Sequence, residues 1–130
     1  MYKIKVFPFI LFLIPTVIFL FSCKGESGTP PIQRPFIYEI TGTAVRVDLK
    51  YQDLRKGDYT QVFNRTLPWS IELFYLEPDD VGNSYYLSAQ KLESDSVGTV
   101  TVTVYVDGVL QKTEQTSDSF GFVAVYGTTP

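Results

Sequence analysis

The chain contains no histidine, one cysteine, one tryptophan and one methionine in 130 residues. Without histidine it lacks the commonest general base and the commonest transition-metal ligand. Ser-His-Asp and Cys-His nucleophile systems cannot be assembled within it, and zinc or copper sites of the usual ligand types are excluded. One cysteine excludes an internal disulfide. Acidic side chains outnumber basic ones by 14 to 11. No basic stripe interleaved with aromatics is present either, so the charge pattern repels nucleic acid. No enzymatic activity, cofactor or metal is expected.

The first 23 residues are informative. Lys3 and Lys5 form a short positive end, and Val6 to Phe21 is an apolar run broken by Pro8, Pro15 and Thr16. Leu20-Phe21-Ser22-Cys23 follows. A charged start, a short apolar core and a small residue before a cut are the marks of a secretory signal. A cysteine directly after the cut fits a bacterial lipobox. There the thiol takes a diacylglyceryl group, and cleavage leaves Cys23 as the acylated first residue. An uncleaved membrane helix is the competing reading. The 16-residue run falls short of the roughly 20 residues needed to cross a bilayer, and two prolines would disturb such a helix. The expected organisation is a cleaved signal over 1–22, a lipidated tether over 23–35 rich in Gly, Ser and Pro, and one folded domain over 36–130. Removal of Lys3 and Lys5 leaves 9 basic against 14 acidic side chains, a net charge of −5. The location this implies is the extracytoplasmic side of a bacterial cell-envelope membrane.

From Phe36 onward the hydrophobic period is two. Val45, Val47, Leu49 and Tyr51 alternate with charged residues; Trp69, Ile71, Leu73 and Tyr75 share one face; Tyr85, Leu87 and Ala89 share another. Val100, Val102, Val104 and Val106 point one way and Thr99, Thr101, Thr103 and Tyr105 the other. Asp107-Gly108 follows, a strong signal for a two-residue hairpin turn. Uninterrupted pairing would set Val106 opposite Val109, Tyr105 opposite Leu110, Thr103 opposite Lys112 and Thr101 opposite Glu114. Val109 to Thr116 is polar enough for an edge strand. Phe120 to Tyr126 is apolar on both faces, which predicts a central strand. About eight short strands without a helix in the mature chain predict an all-β fold, an immunoglobulin-like antiparallel sandwich of seven or eight strands. No internal sequence repeat is visible.

Few side chains suggest chemistry. Trp69 after Pro68 reads as a core plug at one end of the sandwich. Glu77, Asp79 and Asp80 offer oxygen ligands, but Pro-Asp-Asp also opens an ordinary turn in which Asp bonds its own backbone. Tyr59, Tyr86 and Tyr105 fall on outer or loop positions and are the candidate partner or ligand surface. Asn64-Arg65-Thr66 matches a glycosylation sequon, which a bacterial lipoprotein gives little reason to use.

Tyr38-Glu39-Ile40-Thr41-Gly42, Leu67-Pro68-Trp69-Ser70, Leu87-Ser88-Ala89-Gln90 and Tyr105-Val106-Asp107-Gly108 occur in this order. Together they resemble the extracytoplasmic domain of the MmpS family, small membrane proteins that accompany MmpL transporters in mycobacteria. The resemblance spans Tyr38 to Gly127. It implies an immunoglobulin-like sandwich and an accessory role beside an RND-type exporter of lipids or siderophores. Family members keep an N-terminal helix, and many carry a late cysteine pair; here Val102 and a residue near Val125 stand at the matching positions. The expected function is thus a non-catalytic, membrane-anchored binding domain. It would serve an RND-type export system or carry an amphiphilic cargo, with the Val109–Thr116 edge as contact. The alternative is a surface glycan- or adhesion-type binding module.

Cys23→Ala is expected to abolish acylation and release the chain from the membrane fraction, because lipid anchoring scales with buried methylenes at about 0.8 kcal/mol each. Intact-mass spectrometry of both forms and their partition into detergent check this. An unmodified Cys23 in membrane-bound wild-type protein would refute the lipobox reading.

Overall fold

The computed structural model describes residues 28–92 and 97–130. The signal, Cys23 and the start of the tether lie outside the described residues, as does most of the turn expected at 94–98. Eight strands follow in order: β1 (Ile32–Gly42), β2 (Arg46–Gln52), β3 (Tyr59–Thr66), β4 (Trp69–Glu77), β5 (Ser84–Lys91), β6 (Val100–Val106), β7 (Val109–Thr116) and β8 (Phe122–Thr128). They form two antiparallel four-stranded sheets, ordered β4-β1-β6-β7 and β3-β2-β5-β8. This is the expected β-sandwich. The immunoglobulin-like description holds at the level of two packed antiparallel sheets; the strand order is this chain's own.

The order contains a repeat that the sequence hides. Advancing each strand by four positions turns β4-β1-β6-β7 into β8-β5-β2-β3, which is the second sheet reversed. Each half of the chain therefore pairs its first and fourth strands in one sheet and lends its middle hairpin to the other. Alternation places the core between the sheets. Phe36, Tyr38 and Ile40 of β1 and four valines of β6 face Val47 and Leu49 of β2, Leu87 and Ala89 of β5, and Val123 and Val125 of β8, all nearly or fully buried. Burying one such side chain stabilises by roughly 1.5–3 kcal/mol. Val102 and Val125 both belong to this core, from opposite sheets.

Polar side chains are buried with it, among them Lys91 of β5, whose ammonium donates to the Gly98 carbonyl at 2.8 Å and the Ser117 carbonyl at 3.4 Å, and Tyr38. The Tyr38 hydroxyl, on β1, donates to the Gln52 carbonyl of β2 at 3.0 Å and accepts the Tyr86 N–H of β5 at 3.3 Å. Its ring packs edge-on to Phe36 at 5.1 Å between centroids. The buried phenol thus satisfies backbone groups of the opposite sheet, and burial pushes it above its usual pKa.

Several expectations need correction. β1 starts at Ile32, so residues 32–35, read as tether, are paired strand: Ile32 lies opposite Glu77 and Pro35 opposite Phe74. Arg34 fixes this segment through Glu77 at 2.9 Å and Asp107 at 2.8 Å. β8 is an edge strand paired only with β5; its outward Phe122 and Tyr126 are exposed, so two-sided apolarity does not mark a central position here. Val45 precedes β2 and is exposed. In the β6–β7 hairpin Val106 opposes Val109 and Tyr105 opposes Leu110, but a bulge then shifts the register. Thr103 meets Thr113, Val104 meets Lys112 and Val102 meets Glu114. Lys112 and Glu114 therefore lie on the valine side. Asp107 and Gly108 take φ of 51° and 77°, as a type I′ turn requires. At Gly42, with φ of 140°, an added Cβ would sit 2.1 Å from the Thr99 carbonyl oxygen, so a side chain is excluded there.

Tyr38→Phe leaves two buried backbone groups without their partner and is expected to cost about 2–3 kcal/mol. The phenol's folded pKa lies above its unfolded value of about 10, so its contribution is complete below pH 10 and is lost as pH rises through the folded value. Urea titrations at pH 8 and pH 11 should show wild type losing more stability between the two than the variant does. Equal losses would contradict the assignment.

Candidate ligand-binding face

The outer surface of the β3-β2-β5-β8 sheet is built by the second half of each alternation. Lys50 of β2 lies opposite Gln61 of β3 and Ser88 of β5; Asp48 lies opposite Gln90, which in turn opposes Phe122 of β8. Tyr86 opposes Tyr126. All of these but Tyr126 line a shallow depression of about 300 Å³. Tyr86 and Phe122 flank it, while Lys50, Gln61, Ser88 and Gln90 supply donors and acceptors. Tyr86 and Gln90 are four residues apart on one strand, so the depression runs on the order of 13 Å along β5.

Local contacts hold its shape. Tyr59 and Tyr86 meet edge to face at 5.8 Å, and the Lys50 ammonium lies 4.5 Å from the Tyr59 ring centre. At the other end a bulge in β3 puts Asn64 at a φ of 55°. Its N–H donates to Asp48 Oδ1 at 2.7 Å, and its side-chain oxygen accepts from Arg46 at 3.3 Å. That is where the sequon falls. Gln90 donates to the Phe120 carbonyl.

Two of the three expected tyrosines therefore come together. Tyr105 does not: it belongs to β6, between β1 and β7, and faces outward from the opposite sheet. Alternation tells inside from outside but cannot tell one outer face from the other, since that depends on strand order. Lys50, Gln61, Gln90 and Phe122 also line the depression and do not stand out in the sequence. Their only signal is that they share outward parity with the tyrosines, and only the register makes that informative.

The acidic turn is structural. Asp80 is 8 % exposed, and its carboxylate accepts the Leu76 N–H at 2.7 Å and the Asn83 amide at 3.2 Å. Among the described residues no group of three or more cysteines or carboxylates is placed to hold a metal ion. Trp69 is half-buried against the core, 5.7 Å from Tyr51 between ring centres.

Comparison with protein-family models and with curated protein sequences finds no match to this chain. Many residues of the motifs that carry the MmpS resemblance occupy core and turn positions: Tyr38, Ile40, Leu87, Ala89 and Val106 are buried, and Gly42 and Gly108 meet backbone demands, while Ser88 and Gln90 line the depression.

Asp80→Ala is expected to cost about 2 kcal/mol by releasing the Leu76 N–H and the Asn83 side chain, lowering Tm by roughly 10 °C for a domain of this size. Calorimetry checks this, and chelator or added calcium should leave the wild-type Tm in place. A calcium-dependent Tm would restore the ligand reading of the turn.

Proposed function

We propose that this chain is a non-catalytic binding module, tethered outside a bacterial membrane through Cys23, and that its ligand is carbohydrate held on the outer face of the β3-β2-β5-β8 sheet. The observation that carries the reading is the juxtaposition of Tyr59, Tyr86 and Phe122 with Lys50, Gln61, Ser88 and Gln90 on one open, gently concave surface. Sugars present apolar C–H patches and a ring of hydroxyls. Aromatic side chains cover the first, and amides, hydroxyls and a single ammonium pair with the second. The depression is open and only moderately apolar, unlike the enclosed sites that take drug-sized ligands. Lys50 and Asp48 balance each other in charge, which suits a neutral glycan.

The exporter-accessory role implied by the resemblance is the second reading. Its support is the four ordered motifs, one of which, Leu87-Ser88-Ala89-Gln90, contributes Ser88 and Gln90 to this face.

Full-length protein in mild detergent, probed on an array of cell-envelope and plant polysaccharides, tests the first reading. Tyr86→Ala should weaken binding about tenfold, the equivalent of 1.4 kcal/mol, and Lys50→Ala less. Failure to retain any glycan would sink it. Co-purification of an RND-type transporter from native membranes, lost in Cys23→Ala, would move the assignment to the export system.

A further inference from the structure

The four edges of the sandwich are not equally protected. β7 carries a bulge, with Lys112 and Glu114 on its core side, devices that discourage strand addition. Lys112 also spans to β8, where its ammonium donates to the Tyr126 carbonyl and lies 5.2 Å from the Tyr126 ring. One side chain thus blunts β7 and occupies the β8 edge. The Val109–Thr116 edge expected to make the contact is therefore the guarded one. On the other flank, β4 carries Glu72 at its centre and lies between Pro68 and Pro78. β3 differs: Tyr59-Thr60-Gln61-Val62-Phe63 has no charge, no proline and no glycine. All but Val62 are exposed, and the bulge falls at its C-terminal end, where Phe63 and Asn64 stand against Asp48. Its pairing groups on the side away from β2 have no strand beside them.

This pentapeptide is complementary to itself. Antiparallel pairing about Gln61 sets Gln61 against Gln61, Thr60 against Val62, and Tyr59 against Phe63 at both ends. The result is two aromatic pairs flanking an amide pair on the outer face, each a favourable cross-strand combination. Extending the register sets Asp58 against Asn64, so no like charges are opposed. The same flank holds the inward-facing side chains that the monomer covers least: Tyr51, Val62, Leu67, Trp69, Ile71 and Leu73 pack on the core but stay partly exposed. A second molecule rotated about a two-fold axis through Gln61 would bring its own β3–β4 flank against them.

We infer that the occupant of the β3 edge is a second copy of this chain, paired antiparallel through Tyr59–Phe63 into a continuous eight-stranded sheet. The two-fold axis stands perpendicular to that sheet, so the two ligand faces become one surface. Five strand residues alone make a contact smaller than the roughly 800 Å² per partner of a standard interface. The flank adds apolar area, and attachment of both copies to one membrane raises their effective concentration. The inference does not rest on the carbohydrate reading and stands or falls apart from it.

The test uses the full-length chain in mild detergent, with short bis-maleimide cross-linking of Gln61→Cys. Gln115→Cys on β7 is the control, and the unsubstituted chain serves as the blank. Gln61→Cys should give a dimer band several times stronger than the control. Sedimentation equilibrium of the unsubstituted chain should show a concentration-dependent mass rising to twice the monomer's. Gln61→Arg, which opposes two cations at the axis, should weaken dimerisation roughly tenfold or more. A monomeric mass throughout overturns the inference. So does equal cross-linking from both positions, or a dimer unaffected by Gln61→Arg.

Discussion

The Tyr38 hydroxyl is the contact on which the arrangement of this domain turns. A sandwich core of valines and leucines resists separation of its sheets but is indifferent to small sliding between them, because dispersion contacts are individually weak and undirected. A phenol anchored in one sheet and hydrogen-bonded to two strands of the other removes that freedom. Its two partners lead directly to the candidate face. Tyr86 belongs to it, and Gln52 ends β2 with its amide held on the Gly57 carbonyl at 3.1 Å, two residues before Tyr59. The pair of tyrosines on the surface is thus positioned from beneath by a third in the core.

That dependence gives a fixed frame to a face whose side chains make few bonds among themselves. Asp48 is committed to Asn64 and Gln90 to Phe120, which fixes the rim. Gln61 and Ser88 sit over a backbone already held by the sheet. Rigid strands below and polar side chains above are the features on which the proposed recognition of a hydroxyl-rich ligand rests.

Much of the fold was legible because parity suffices for it. The valine alternation of β6 marks its own inner face, and Asp107-Gly108 marks the turn after it; neither needs knowledge of neighbours. Errors arose where neighbours decide. The β8 segment reads as central by composition, yet Phe122 and Tyr126 are outward residues of an edge strand, the latter in contact with Lys112. The β7 bulge moved every later pair by one residue and carried Lys112 and Glu114 to the core side, which no spacing in the sequence announces. Tyr105 shares outward parity with Tyr59 and Tyr86, and only strand order separates it from them. The candidate site was half legible for the same reason: its aromatic members stand out by type, its polar members only by place.

The exchange of hairpins between the two halves has a consequence for how the chain acquires its shape. β1 waits for β6, and β2 waits for β5, before either gains its second neighbour. A chain emerging N-terminus first can close β1 on β4 and β2 on β3, but those two pieces belong to different sheets and share no edge. Commitment comes only once residues beyond about 106 have arrived. Until then, two half-sheets with open borders must be kept apart from their like. Such long-range pairing is slow. The interval before completion, rather than the finished domain, is when this protein is most exposed to strands of other chains.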